Sequence, residues 1–177
     1  MLSIPELDTP RLRLRAHRPD DLAPYLAMYQ EPAFYEFLGG APLSESEVWI
    51  RLLRQLGFWP MLGYGYWSIE ERATGELVGA VGFADWQRAI EPTLKGYPEM
   101  GWVLAPSRQG RGYAAEAAQA ALAWADAHLP HARTVCLINA ANAASLRLAT
   151  RLGFQEFSRT EYEGQPERLL ERFAPVH

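Results

Sequence analysis

The chain has 177 residues and a formal net charge of −4; 49% of its residues are hydrophobic and 21% are charged. This length suits one domain, which would bury roughly 70% of the surface of its unfolded chain, and the composition is globular rather than disordered. The acidic balance argues against a general nucleic-acid binder, because such proteins are usually basic.

The apolar segments and the cysteine content of the sequence indicate where in the cell the protein is expected. No apolar run approaches the ~20 residues of a membrane-spanning helix, and the N-terminus lacks the apolar stretch of a signal peptide. The single cysteine, Cys136, cannot form an internal disulfide and sits in an apolar stretch typical of a buried strand. We therefore expect a cytoplasmic protein with no membrane or nucleic-acid partner.

The first half of the chain predicts one strand, two helices and a hairpin. Alternating residues predict a strand over 11–15, and Pro19 followed by two acidic residues favours a helix start. The aromatic segment 34–37 is predicted to be irregular. Ser44 and Glu47 form a capping-box pattern before a second helix, which we expect to end near Gly57. Strands at 63–69 and 76–83 then form a hairpin.

The second half predicts two further helices among four strands. The strands are expected at 99–104, 134–138, 154–162 and 167–173, and the helices at 110–128 and 142–152. The order β-α-α-β-β-β-α-β-α-β-β predicts an α/β (α+β) fold in one domain, residues 1–177, with a mixed sheet.

Residues 106–118, with the sequence PSRQGRGYAAEAA, stand out chemically. A helix start offers unpaired amides and partial positive charge, and glycines let an anion approach the backbone. The segment carries Arg108 and Arg111 where a first turn usually favours acids. A plain glycine turn before an alanine-rich helix is the competing interpretation. The spacing does not match the P-loop pattern.

The wider pattern resembles a known family. Gln109-Gly-Arg-Gly-Tyr-Ala114 follows a strand, and Asn142-Ala-Ala-Ser145 and Leu152-Gly-Phe154 follow the next one. Together these motifs resemble the GNAT superfamily of N-acetyltransferases. Residues 8–15 and Glu99-Met-Gly-Trp102 resemble its ribosomal-protein N-acetyltransferase (RimJ/RimL-like) branch. The resemblance spans nearly the whole chain and implies a mostly antiparallel central sheet flanked by about four helices.

The resemblance implies that acetyl-CoA binds between the strands at 99–104 and 134–138, which splay apart. The pantetheine arm would pair with β-strand backbone, and the pyrophosphate would lie on backbone amides with two arginines in support. The implied cofactor-binding residues are Trp102, Val103, Leu104, Arg108, Gln109, Gly110, Arg111, Gly112, Tyr113, Ala114, Asn142 and Ser145. Asn142 also stands where a helix N-cap belongs, and Ser145 could be a small packing residue.

The implied reaction moves an acetyl group directly to a primary amine, which must first lose a proton. Glu99 is the preferred base; an exposed acid at a strand end is the alternative. Many family members carry a tyrosine seven residues after the asparagine, where it acts as the general acid, but here that position is Ala149. Ser145 is therefore the best remaining candidate for the acid that protonates the leaving thiolate, together with water.

Aromatic residues in the first half would line an acceptor site, although their default role is core packing. The predicted acceptor-binding residues are Phe34, Tyr35, Tyr66 and Trp86. The four histidines lack metal-ligand spacing, so no metal is predicted. The leading function is an acetyl-CoA-dependent amine N-acetyltransferase, as a monomer or homodimer, acting on a small molecule or a protein N-terminus. A non-catalytic acyl-CoA-binding or sensing module is the first alternative, and an unrelated phosphate-binding α/β protein is the second.

Overall fold

The computed structural model describes residues 4–130 and 132–175, and over these residues the chain forms eight strands and five α-helices. In chain order they are β1 (Leu7–Asp8), β2 (Leu12–Arg15), α1 (Leu22–Tyr29), α2 (Pro32–Tyr35), α3 (Glu45–Leu62), β3 (Tyr66–Glu71), β4 (Leu77–Ala84), β5 (Glu99–Leu104), α4 (Tyr113–His128), β6 (Arg133–Asn139), α5 (Ala143–Arg151), β7 (Gln155–Tyr162) and β8 (Gln165–Phe173).

All eight strands join one sheet in the order β1-β2-β3-β4-β5-β6-β8-β7. Neighbouring strands run antiparallel except β5 and β6, which are parallel. A parallel pair needs a crossover connection, and α4 supplies it. The predicted mixed, mostly antiparallel α/β fold is therefore confirmed.

The structure differs from the predicted elements mainly around α2 and α3. The segment predicted to be irregular contains a single helical turn, α2, which begins at Pro32 in the first helical position, where its missing N–H costs nothing. The capping box is confirmed, since Ser44 N donates to Glu47 Oε2 at 2.8 Å. However, α3 continues through Gly57 and Pro60 and ends only at Gly63, whose φ of 79° suits glycine.

Each face of the sheet carries its own helices. Trp67, Val81 and Cys136 belong to a buried cluster that packs against α4 and α5. Three tryptophan rings meet in this cluster: Trp59 from α3, Trp67 from β3 and Trp124 from α4, with centroids 4.8 to 5.4 Å apart. Residues of the opposite alternation pack against α1 and α3, and this second face holds Tyr66 and Trp86 of the candidate site described below.

Gly82 in β4 packs directly against the backbone of the neighbouring strand. A Cβ at Gly82 would collide with the Gly65 carbonyl and the Tyr66 Cα. The backbone of the neighbouring strand therefore approaches too closely for any side chain. This contact explains why a glycine is tolerated in a central strand, where it otherwise weakens pairing.

A buried ionic network ties the start of α1 to the sheet. Arg15 of β2 donates to both carboxylate oxygens of Asp21 at 2.9 and 2.8 Å, and Ser68 Oγ of β3 donates to Asp21 at 2.9 Å. His17 Nδ1 lies 2.6 Å from the same Ser68 hydroxyl. Burial lowers the pKa of His17 to about 4, so this imidazole is neutral at physiological pH. All four side chains are buried.

Replacing Asp21 by Ala should lower the free energy of unfolding by about 2–4 kcal/mol, because it leaves both Nη groups of the buried Arg15 without the Asp21 carboxylate, although Arg15 Nε keeps its ion pair with Glu70 at 2.6 Å. Chemical denaturation at pH 7 measures this loss. The exposed neighbour Asp20 provides the control. Asp20→Ala should change the stability by less than about 0.5 kcal/mol. Equal effects of the two substitutions would contradict the prediction.

Candidate active site

The sheet opens between β5 and β6, the two strands that pair in parallel. Among the described residues, β5 and β6 pair at a single position, Glu99 with Val135, and Val135 N donates to the Pro98 carbonyl at 3.0 Å. Beyond this point residues 101–103 remain paired with β4 but have no partner on their other side. These residues are only half-buried although β5 is a central strand. The predicted splay between the strands is therefore present.

The loop that follows β5 presents a run of free backbone amides. Gly110 and Gly112 take left-handed φ angles of 73° and 80°, and Gly112 is the N-cap of α4. Within residues 4–130 and 132–175, no hydrogen bond uses the amides of residues 110–115. Successive unpaired amides at a helix start form an anion-binding concavity, strengthened by the helix dipole. This concavity adjoins the end of β5, where the strands have separated.

The arginines of this loop have different roles. Arg108 forms ion pairs with Glu71, at 3.0 Å, and with Glu76. The Tyr113 hydroxyl also donates to Glu71, and its ring is buried. These contacts fasten the loop to β3. Arg111, in contrast, is exposed and forms no ion pair among the described residues, so its charge is available to a ligand.

Arg11 holds the outer side of the same loop. Its Nη1 donates to the Arg111 carbonyl at 2.9 Å, and its Nε donates to Glu116 Oε2 at 2.6 Å. The first turn of α4 therefore does contain an acid, Glu116, although residues 110–115 have none. Because Glu116 is neutralised by Arg11, the helix start keeps its positive potential.

The start of α5 faces the same opening from β6. Asn142 is the N-cap of α5, and its Oδ1 accepts from Ser145 N at 3.0 Å. The capping role considered for Asn142 is therefore present in the structure. Ser145 is half-buried, and within the described part of the chain its hydroxyl has no hydrogen-bond partner. Ala149, where the family tyrosine would be expected, is fully buried.

Glu99 lies at the point where β5 and β6 diverge, and it is buried rather than exposed. Its carboxylate accepts from Arg88 Nε at 3.0 Å and from Arg88 Nη2 at 3.0 Å. Burial raises the pKa of Glu99 above its usual range, whereas the Arg88 guanidinium acts in the opposite direction. A carboxyl group with a raised pKa at the mouth of a cleft is suited to accepting a proton.

The Tyr66 side chain extends from β3 across β4 to β5, where its hydroxyl lies over Gly101. Gly82 and Gly101 occupy the register positions beneath it, and a Cβ on Gly101 would collide with the Tyr66 hydroxyl. Burial raises the pKa of Tyr66, and the nearby Glu99 charge adds to the effect. Its hydroxyl is therefore a neutral donor beside β5, where the strands begin to separate.

The other predicted acceptor residues lie at different depths. Trp86 is half-buried beside Tyr66, with ring centroids 6.1 Å apart. Phe34 is buried in the core against Tyr29, and Tyr35 next to it is half-buried. Tyr66 and Trp86 thus adjoin Glu99, whereas Phe34 serves packing in this structure.

Two charged residues of the site lie outside every sequence motif. Arg88 belongs to the loop after β4 and bridges Glu99, Trp86 and Tyr162, with its guanidinium carbon 5.5 and 4.8 Å from the two ring centroids. Glu167 of β8 pairs in register with Asn139 at the end of β6. Burial raises the pKa of Glu167 to about 6. Neither residue has a local sequence signal, because each comes near Glu99 only through the tertiary fold.

The raised pKa of Glu167 predicts a pH-dependent stability difference. The folded state favours the protonated carboxyl, so the stabilising effect of protonation is full below pH 4.5 and is lost as the pH rises through 6. Glu167→Gln should therefore be more stable than the wild type at pH 7.5, by up to about 1 kcal/mol after allowance for partial exposure. The difference should disappear at pH 4. Thermal unfolding at both pH values tests this, with the exposed Glu161→Gln as control.

The described residues contain neither a metal-ligand cluster nor a helix that could cross a membrane. No group of three or more metal-ligating side chains is present among them. None of the helices within residues 4–130 and 132–175 has the length and apolar character needed to cross a membrane.

Known proteins share this sequence pattern and this fold. The chain is similar to a GNAT-family acetyltransferase structure from Bordetella pertussis, with 36% identity, a TM-score of 0.85, and coverage of 96% of this chain and 99% of that chain. It is also 26% identical to the N-acetyltransferase YoaA of Bacillus subtilis over 86% of this chain and 84% of that protein.

A third similarity concerns the fold of the predicted branch. The structure of RimL, a ribosomal L7/L12 alpha-N-protein acetyltransferase in complex with coenzyme A, has a TM-score of 0.78 at 21% identity, covering 96% of this chain and 98% of that one. The predicted likeness to the ribosomal-protein branch is thereby confirmed at the level of the fold. A family model described as an acetyltransferase (GNAT) domain matches residues 11–155. The chain belongs to the GNAT acetyltransferase family.

Proposed function

We propose that this chain, as one acetyltransferase domain, transfers an acetyl group from acetyl-CoA to a primary amine. The free amides of residues 110–115, placed where β5 and β6 separate, are the observation that carries the proposal. An opening lined by unpaired strand backbone and ending at an anion-binding helix start suits a long donor with a pyrophosphate. The CoA complex of RimL and the name of YoaA support this choice.

The donor would contact the chain in three places. The pyrophosphate would accept from the amides of residues 110–115, with Arg111 adding charge. The pantetheine arm would pair with the free edge of β5 at residues 102–104. An amide of that edge would also stabilise the oxyanion that forms at the thioester carbonyl. Asn142 and Ser145 would border the sulfur end.

The reaction would proceed by direct attack. The amine nitrogen bonds to the thioester carbonyl carbon, the C–S bond breaks, and the sulfur leaves with the electron pair. The proton released by the amine goes to Glu99, directly or through water, and the thiolate takes a proton from Ser145 or water. Tyr66 and Trp86 would hold the acceptor beside Glu99, and Phe34 and Tyr35 lie farther along the same α1–α3 side.

Two assays test the function separately. Saturating CoA, at 100 times its dissociation constant, should stabilise the fold by about 2.7 kcal/mol, measured by thermal shift. Acetyl-CoA with a panel of amines should release free thiol. Absence of a thermal shift would remove the donor assignment. A shift without thiol release from any amine would instead favour the non-catalytic acyl-CoA-binding module.

Arg111→Gln should weaken CoA binding about fivefold to tenfold without changing the melting temperature of the free protein, because this exposed arginine makes no ion pair to lose. Arg108→Gln is the matched variant. It should lower the melting temperature, since it breaks the contacts to Glu71 and Glu76. Calorimetric titration with CoA, together with thermal unfolding, distinguishes the two. Loss of CoA affinity only in Arg108→Gln would contradict this division of roles.

Glu99→Gln should lower kcat about 10²- to 10⁴-fold at neutral pH, with CoA affinity unchanged, because the amide cannot take the proton of the amine. The wild-type rate should rise with pH through the raised pKa of Glu99, and the variant should lose this limb. Glu161→Gln removes the same charge at an exposed position and should leave the rate unchanged. An unaltered pH profile in Glu99→Gln would remove this residue from the mechanism.

A further inference from the structure

One side of the acceptor region carries arginines from α3. Arg54 places its guanidinium carbon 4.8 Å from the centroid of the Trp86 ring. Phe58, one turn further along α3, packs edge-on against the same ring at 5.1 Å. Arg51, one turn before, donates to the Tyr29 hydroxyl at 2.8 Å. The helix thus directs Arg54 to the half-buried Trp86, while Arg51, one turn away, lies over the Tyr29 ring with its guanidinium carbon 5.2 Å from the centroid.

The charges of Arg51 and Arg54 are not taken up by a direct ion pair, although Glu47, whose carboxylate accepts from Ser44, lines the same cavity as both arginines. Among the ion pairs of the described residues, neither arginine has a carboxylate partner. Like charges three residues apart on a helix repel each other, so this pair does not serve the stability of α3. Arg88 nearby is already committed to Glu99 through two hydrogen bonds. The free positive charge of this region therefore belongs to α3.

Trp86 connects this free charge to the proposed base. Its ring contacts Arg54 on α3 and also Arg88, whose guanidinium carbon lies 5.5 Å from the ring centroid. Arg88 in turn binds the Glu99 carboxylate. A small molecule lying along Trp86 would therefore have a proton acceptor near one end and an unpaired guanidinium near the other.

We propose that the acceptor is a primary amine that also carries a carboxylate or a phosphate, and that Arg54, assisted by Arg51, binds this anionic group. The proposal rests on the acetyl transfer proposed above and names its substrate class. A guanidinium presents several N–H donors in a fork that matches both anions, and its charge remains at every physiological pH. Contact with the Trp86 face fixes the guanidinium plane without consuming its donors for a carboxylate.

The same charges exclude other amines. A polyamine would bring a second cation toward Arg51 and Arg54, and like charges placed together are strongly unfavourable. The net charge of −4 suggests the opposite preference, for cationic acceptors. The local arrangement decides, because charges beyond about 8 Å are largely screened at physiological ionic strength.

The first measurement compares matched amines by binding alone and needs no turnover. In saturating CoA, the melting temperature is measured with β-alanine against β-alaninamide, with 4-aminobutyrate against butylamine, and with O-phosphoethanolamine against ethanolamine. We expect a shift with the member that carries the carboxylate or phosphate in at least one pair, and none with its partner, which is a cation without that anionic group. The responding pair identifies the anion as carboxylate or phosphate. A dipeptide with glutamate in second position, against its glutamine analogue, reports whether the anion comes from a peptide.

The variants assign the effect to α3. Arg54→Gln should abolish the shift and raise the KM of the anion-bearing amine at least tenfold, with the KM of acetyl-CoA unchanged. Arg54→Lys should recover part of the shift. Arg151→Gln, on α5, removes an exposed arginine that forms no ion pair among the described residues and should change nothing. No shift from any amine that carries a carboxylate or phosphate, or equal shifts from the two members of every pair, would overturn the proposal. Absence of a CoA shift would refute the donor assignment instead, so the two failures are distinguishable.

Discussion

The parallel pairing of β5 and β6 is the constraint on which the rest of the site depends. These two strands meet at Glu99 and Val135 and then separate, so a central strand keeps free backbone groups inside the protein. Such groups are costly to bury unless they find a partner. The crossover helix α4 begins where the opening ends, with its amides directed to the same space. One departure from regular pairing therefore creates both a slot for an extended ligand and an anion site beside it.

Several arginines around this opening form ion pairs with carboxylates, and others do not. Arg108 is held by Glu71 and Glu76, Arg88 by Glu99, and Arg11 by Glu116. These ion pairs fix loops whose positions matter for binding. Two arginines that have no carboxylate partner in the described part of the chain lie at the two ends of the opening, Arg111 at the proposed donor end and Arg54 at the proposed acceptor end. The distribution of unpaired charge, rather than the net charge, thus describes what the site can attract.

Much of the donor side could be predicted from sequence because its residues are local. The glycines around Arg111, the cap at Asn142 and the β-strand before them follow one another within short segments, and each has a backbone reason for its residue type. The acceptor side depends on contacts between distant elements. Arg88 reaches Glu99 from a loop, and Arg54 reaches Trp86 from α3, so no spacing rule could connect them. The prediction that α3 ends near Gly57 was wrong: the helix continues to Leu62, and the buried Trp59 stabilises this last part by packing.

The tryptophans of the chain give two kinds of optical signal, one from the buried cluster and one from Trp86. Trp59, Trp67 and Trp124 come from three elements and meet edge to face, a geometry in which indole transitions couple and generate strong near-ultraviolet circular dichroism. That signal would vanish when α3 and α4 leave the sheet. Trp86 lies apart from the cluster, with the guanidinium groups of Arg54 and Arg88 over its ring, so its fluorescence should change when a ligand enters the proposed acceptor region. Since the chain has six tryptophans, replacing Trp86 by Phe identifies its share of the emission, and the circular dichroism of the cluster then follows the fold separately.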